Sequence, residues 1–293
     1  MGESGTATIC LTFDFDAISL WVGPFAARSP SAISRGEFGA VGVRRILALL
    51  EREAITATFF VPGHTAETYP DLVRAIVAAG HEIGHHGYLH ENPLALETRE
   101  AEHDVLQRGL AALDAVAGVR PVGYRSPAWD NSPFTVELLL EAGFRYESSL
   151  MGDDFSPSWC RIGDHHQPDG PYLFGDPVDL VEMPVSWVLD DFPHFEYVSL
   201  RPGGLRLPGL SAASKVEEIW RDEFAYMLRE VPGGTMTLTM HPQTIGRGHR
   251  MLMLERLIAF YRSHPGVRFT TLANAAERFR ERNPAPSPAP GSR

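Results

Sequence analysis

The stretch TICLTFDFD, residues 8–16, sets the reading of this chain. Thr8 to Phe13 form an apolar run broken by threonines, which fits a core strand. The run ends in DFD. Two neighbouring carboxylates repel each other unless a cation or proton intervenes. Asp14 and Asp16 share one face of an ideal strand, although the strand end can bend them to different roles. A solvated strand end, or a pair making local caps, is the plain alternative.

Working outward, the segment after residue 16 reads as an irregular, glycine-containing excursion, followed by helical periodicity over 41–52. Strand-like runs at 54–60, 81–84, 122–123 and 144–146 then alternate with helical patterns at 68–79, 96–116 and 133–143, two of these ended by Gly80 and Gly143. From 151 to 210 the alternation fails among Pro, Gly and aromatic residues, with short strand candidates at 171–174 and 178–183. A long insertion or lid is expected there. The pattern resumes with a helix at 214–229, strand 235–240, helix 251–264, a short strand at 268–269 and helix 272–279. Strands alternating with helices argue for a parallel α/β architecture.

Composition narrows the function classes. The chain has 293 residues, 44% of them hydrophobic, enough for a large core. A formal charge of −11 disfavours nucleic acid as a partner, since phosphate binding wants a basic face. The opening MGESGTATIC has no basic region followed by an apolar run, and no apolar run approaches the length of a membrane span, so a cytoplasmic protein without a membrane partner is expected. Cys10 and Cys160 are the only thiols, too few for a disulfide framework or a four-thiolate zinc site. The terminal ERNPAPSPAPGSR reads as an extended, mobile tail over 281–293, leaving 1–280 as one catalytic domain.

The polar clusters share a placement: LTFDFD follows the first strand, HEIGHHGYLH (81–90) the third, YRSPAWD the next, and MHPQ the late TMTLTM strand. In a barrel of parallel strands, the carboxyl ends gather at one mouth, so residues distant in sequence can meet. His86 and His90 are four apart, a spacing that puts both rings on one side of a helix or helical turn. His81 is better read as a strand or turn residue and His85 as packing or as support for a ligand. One aspartate with two histidines leaves coordination positions for water and substrate, and suits zinc as well as cobalt, nickel or iron.

These stretches together resemble the polysaccharide deacetylase family, the NodB-type carbohydrate esterases, and within it the peptidoglycan-deacetylase-like and cyclic-imide-hydrolase-like branch. LTFDFDA, ATFFVPG, GHEIGHHGYLHE, GYRSPAW and TLTMHPQTIGR carry the resemblance, which covers roughly residues 8–279. It implies a distorted, incomplete TIM-like (β/α) barrel, the NodB homology domain. By position, it implies Asp14 as catalytic base and Asp16, His86 and His90 as ligands of one divalent metal ion, zinc foremost. It further implies Arg125 as the residue that orients the base and His241 as catalytic acid. Phe15 stands inside what is usually an adjacent Asp pair, and SPAW replaces a more usual PPYG; both departures look like the imide-hydrolase branch.

On this reading the metal activates a water, Asp14 takes its proton, and His241 protonates the departing nitrogen. The backbone N–H near Ala128 is a candidate oxyanion donor by analogy with the family. Trp129, Trp187 and Tyr88 are candidate substrate contacts, since planar rings cover either a sugar face or a flat imide. Asp190, Asp191 and Glu182 are open alternatives for orienting His241. The Asp153-Asp154 pair, His165-His166 and His249 stay unassigned. The expected substrate is a small cyclic imide or related amide, with N-acetylated sugars or peptidoglycan fragments second and a noncatalytic binding protein third. A homo-oligomer is compatible with the 151–210 excursion.

Overall fold

The computed structural model describes residues 6–199 and 206–286. In chain order its strands are β1 (Ala7–Asp14), β2 (Thr58–Val61), β3 (Glu82–His85), β4 (Gly123–Tyr124), β5 (Tyr146–Glu147), β6 (Ser158–Ile162), β7 (His165–His166), β8 (Tyr172–Leu173), β9 (Asp176–Glu182), β10 (Tyr197–Ser199), β11 (Arg206–Pro208), β12 (Thr235–Met240) and β13 (Val267–Phe269). The main sheet runs β12-β1-β2-β3-β4-β5-β9-β6, with β13 also paired to β1. Every pairing is parallel except β6 with β9. The ends of this order, β12 and β6, do not pair, so the sheet is a curled, incomplete half-barrel with helices packed on it.

All eight residues of β1 are buried, as in a parallel strand covered on both faces. Successive side chains point to opposite faces. Ile9, Leu11 and Phe13 join the large cluster formed with the helices, together with Met236, Leu238 and Met240 of β12. Cys10 belongs instead to a second cluster with Phe60, Tyr146 and the helix Leu272–Arg282. Thr12 and Asp14 share the parity of Cys10. The sheet therefore sends its polar series to the inner face.

The segment after Asp16 departs from expectation. It is helical over Ile18–Val22 and again over Pro30–Arg52, eleven residues earlier than its apolar periodicity indicates. The reason is close packing. A Cβ on Gly36 would stand 2.5 Å from the Ala17 carbonyl oxygen, and one on Gly42 2.0 Å from that of Pro242. These glycines mark where a helix lies against backbone, not a loose loop.

Within 151–210, β6 and β9 extend the main sheet, β7 and β8 form a hairpin, and 187–195 lies beside β12, where Asp190 bridges Thr239. Residues 200–205 of the expected lid and 287–293 of the expected tail fall outside the described residues; the tail's first residues continue a helix to Arg282. Among the described residues no helix is long and apolar enough to cross a membrane.

Candidate active site

The register of β1 and β12 places Phe13 opposite Met240, so Asp14 and His241 leave neighbouring strand ends at the same level. His85 of β3 stands opposite Tyr124 of β4, so His86 and Arg125 follow at the next level. Asp16 lies two residues beyond the end of β1. The carboxyl ends of adjacent strands thus deliver all these side chains to one mouth.

Asp16, His86 and His90 form a buried cluster whose donor atoms lie within 4.8 Å of one another. His86 Nε2 stands 3.5 Å from Asp16 Oδ1, and His90 Nε2 3.8 Å from Asp16 Oδ2. Ligands of a tetrahedral zinc, each about 2.0–2.1 Å from the ion, stand about 3.3 Å apart. The two histidines do not come from a helix. Residues 86–92 form a loop in which Gly87 and His90 have φ of 71° and 60°. The Glu91 carboxylate holds that loop by accepting from the backbone N–H groups of Tyr88 and Leu89, at 3.0 and 2.7 Å. A left-handed histidine is unfavourable and is concentrated at functional sites.

The cluster fits a divalent cation. His86 Nδ1 donates to the Arg125 carbonyl oxygen at 2.7 Å, leaving the Nε2 lone pair toward Asp16. Burial lowers the His86 pKa to about 3 and that of His90 well below the ordinary range, so both are neutral donors. Burial raises Asp16 to about 8; His241 draws it down, while Asp14 and Asp190 push it up. Neither Asp16 oxygen closes a hydrogen bond. A buried carboxylate whose oxygens close no hydrogen bond, set beside two neutral imidazoles, is a donor set suited to a divalent cation. The structure thus contains an Asp/His/His triad suited to a divalent metal.

Two pairs flank it. Arg125, fully buried, donates from Nη1 to Asp14 Oδ1 at 2.7 Å and to Thr12 Oγ1 at 2.8 Å. It also donates from Nε to the Ser148 carbonyl at 3.1 Å and from Nη2 to Ser148 Oγ at 3.0 Å, and its guanidinium carbon lies 4.2 Å from the Phe60 ring centroid. On the other side, His241 donates its backbone N–H and Nδ1–H to Asp191 Oδ1, at 3.0 and 2.8 Å. Its Nε2 is 3.7 Å from Asp16 Oδ2. Burial opposes charge on His241, but Asp190, Asp191 and Asp16 outweigh it and raise its pKa well above the ordinary histidine range. Of the three candidates for orienting His241, Asp191 makes the contact. Asp190 stands 3.7 Å away, and Glu182 is not adjacent: it accepts from the Leu150 N–H on the far side of the sheet order.

These residues open into a cavity of about 300 Å³ whose lining includes Asp14, Asp16, His86, His90, Ala128, Trp129, Trp187, Asp190 and His241. Trp129 and Trp187 stack at a centroid distance of 4.2 Å. Ala128 and Trp129 both have positive φ, 58° and 55°, an uncommon conformation that fixes the wall. Tyr88, expected against the substrate, does not line this cavity. Its hydroxyl donates to Glu67 at 2.8 Å and Arg108 covers its ring, because the turn after His86 carries it outward. His85 is structural, its ring bonded to the Leu106 carbonyl and stacked on Tyr124. His165 and His166 lie exposed in the β7–β8 hairpin, and Asp153 caps the turn of Phe155 and Ser156.

The wall also contains Leu20, Pro24, Phe25, Asn92, Phe192 and Pro193, none singled out from the sequence. Phe25 and Leu20 carry no signal that separates them from core residues. Ser148, which positions Arg125, does carry one: like the clusters already noted, it immediately follows a strand end, in FRYESS.

Residues 2–147 match the family described as Polysaccharide deacetylase. A peptidoglycan deacetylase of Helicobacter pylori is 38% identical over 283 residues, covering 92% of this chain and 95% of that protein. A solved candidate polysaccharide deacetylase from Mycobacterium smegmatis superposes with a TM-score of 0.83 at 37% identity, covering 100% of this chain and 97% of the other. An allantoinase structure gives 0.75 at 25% identity over 97% and 93%. The site is that of an enzyme, a metal-dependent hydrolase of carbon–nitrogen bonds. With its half-barrel, its buried triad and these matches, the chain belongs to the polysaccharide deacetylase family.

Proposed function

We propose that this enzyme removes acetyl groups from the nitrogen of N-acetylated sugars or peptidoglycan fragments, using one zinc ion held by Asp16, His86 and His90. The observation that carries the chemistry is the triad flanked on one side by Asp14–Arg125 and on the other by His241–Asp191. A divalent cation there supplies Lewis-acid polarisation of a carbonyl and lowers the pKa of water. Asp14, aimed by Arg125, accepts the proton of the attacking water. His241, protonated through its aspartate partners, gives a proton to the departing nitrogen, without which an amine leaves poorly. The two roles need opposite protonation states, and the surroundings differ accordingly: a guanidinium faces one group and carboxylates face the other.

The preference for N-deacetylation over the cyclic imide expected from sequence rests on the near-full-length relationship to the Helicobacter pylori peptidoglycan deacetylase. The allantoinase is more distant, at 25% identity. Trp129, Trp187, Phe25 and Phe192 offer ring faces on which a sugar or its acyl group can lie, and Ala128 supports the wall beside the carbonyl. The test is acetate release from N-acetylglucosamine oligomers, run beside ring opening of succinimide and hydantoin, with chelated and zinc-reloaded protein. Zinc-restored acetate release is expected. Ring opening without acetate release overturns the substrate assignment, and turnover indifferent to chelation overturns the metal assignment.

A further inference from the structure

Ala128 and Trp129 line the cavity in left-handed backbone conformations, with φ of 58° and 55°. Residues stay in such conformations only where their surroundings over-determine them. Here the surroundings converge on Glu147, the fully buried last residue of β5. Its two oxygens reach the two ends of the segment 126–131. At one end Oε2 accepts from Ser149 Oγ at 2.7 Å, and the same hydroxyl oxygen accepts the backbone N–H of Ser126 at 2.8 Å. At the other end Oε1 accepts from Asn131 Nδ2 at 2.8 Å. Between these ends Ser126 Oγ donates to the Asp130 carbonyl oxygen and Asn92 Nδ2 to the Asp130 carboxylate, both at 2.9 Å. A carboxyl group suits the position because both of its oxygens accept, and both donors come from groups that close the segment. Ser148, in the same strand end, holds Arg125.

We infer that Glu147 is a positioning residue that clamps both ends of the segment 126–131 and thereby fixes Ala128 and Trp129 in the cavity wall. Its bearing on turnover rests on the proposed reading of that wall as oxyanion donor and substrate contact. The test compares the full-length, zinc-loaded native protein with Glu147→Leu, Ser149→Ala and Glu147→Gln. The stacked Trp129–Trp187 pair gives an exciton couplet in far-UV circular dichroism, assigned by its loss in Trp187→Phe, which reports the wall without turnover. Displacing one oxyanion donor costs about 10²–10³-fold in kcat. Glu147→Leu should therefore shrink the couplet and lower kcat by about 10²-fold, more than it changes KM. Ser149→Ala, which frees only the Ser126 end, should shift both in the same direction by less. Glu147→Gln should recover most of the loss, because Asn131 Oδ1 closes no other bond and accepts the new amide once its carboxamide turns over. A native-like couplet or native-like kcat in whichever of the Leu and Ala variants folds overturns the role of Glu147. If the native protein releases no acetate from N-acetylglucosamine oligomers, the substrate assignment falls, and the couplet alone then decides the clamp: unchanged in the variants, it overturns it.

Discussion

Replacing Arg125 by Met is the sharpest perturbation of this site, because Arg125 ties the stability of the core to the proposed base Asp14. The guanidinium is fully buried, and so is its partner Asp14 at 2% exposure. Four donor contacts of 2.7–3.1 Å disappear with it. Removing one partner of a buried ion pair leaves an uncompensated charge and costs roughly 3–5 kcal/mol. The Ser148 carbonyl, also buried, loses its guanidinium donor, adding about 1 kcal/mol. The sum, roughly 4–6 kcal/mol, is a large part of a typical stability of about 5–15 kcal/mol. Most of that loss is the cost of the stranded charge, so Asp14→Asn combined with Arg125→Met should be more stable than Arg125→Met alone by about 2 kcal/mol. Urea unfolding of chelated protein, followed by far-UV circular dichroism, measures both differences. The reasoning fails if Arg125→Met costs less than about 1 kcal/mol, or if the double variant is no more stable than the single one.

Asp14→Asn should keep metal uptake yet lower turnover by about 10²–10⁴-fold, the usual worth of a general base; normal turnover would remove Asp14 from that role. Asp191→Asn takes away a contact that raises the pKa of His241. An acid works while protonated, below its pKa, so the alkaline limb of the pH–rate profile should move to lower pH; an unmoved limb would show that Asp191 does not act through His241. Trp187 is 44% exposed and stacked on Trp129. If its exposed face packs on substrate, that contact is worth about 0.5–1.5 kcal/mol, so Trp187→Ala should raise KM by roughly 2–10-fold with kcat nearly kept, and a loss confined to kcat would contradict a wall role. Cys10 and Cys160 are buried, which raises both thiol pKa values. Neither should react with a thiol reagent until urea unfolds the chain, and rapid labelling of the native protein would show that the core around one of them opens.

The residues legible in the sequence were those whose chemistry contradicts their surroundings. Carboxylates closing a buried strand and histidines crowding a strand end are costly unless used, and Asp14, Asp16, His86 and His90 do converge. What sequence spacing left undetermined was local geometry. The four-residue spacing of the histidines suits a helical turn, but a loop with two left-handed residues brings the rings together, and that loop turns Tyr88 away. Asp190 and Asp191 cannot be ranked by sequence, since both follow the same bend; only the 2.8 Å contact separates them. Periodicity reveals only 41–52 of the helix Pro30–Arg52 because glycine favours turns in an isolated chain, whereas here it permits contact with backbone that no sequence window contains.

The meeting of Asp14 and His241 is secured by hydrophobic register. Along β1 and β12, Ile9, Leu11 and Phe13 and their partners Met236, Leu238 and Met240 all face the large helix-packed cluster. A slip of one residue would turn those side chains inward and drive Thr12 and Asp14 into the apolar layer. Burial of six large side chains therefore specifies, at a distance, that Asp14 and His241 emerge on the same face. A core substitution such as Leu238→Ala should cost about 2–5 kcal/mol while leaving the catalytic geometry intact in every molecule that remains folded. Substitution of Asp14 should do the opposite, sparing the register and removing the chemistry. Arg125 escapes this division, because the cation that orients the Asp14 carboxylate is also the one that makes burying it tolerable.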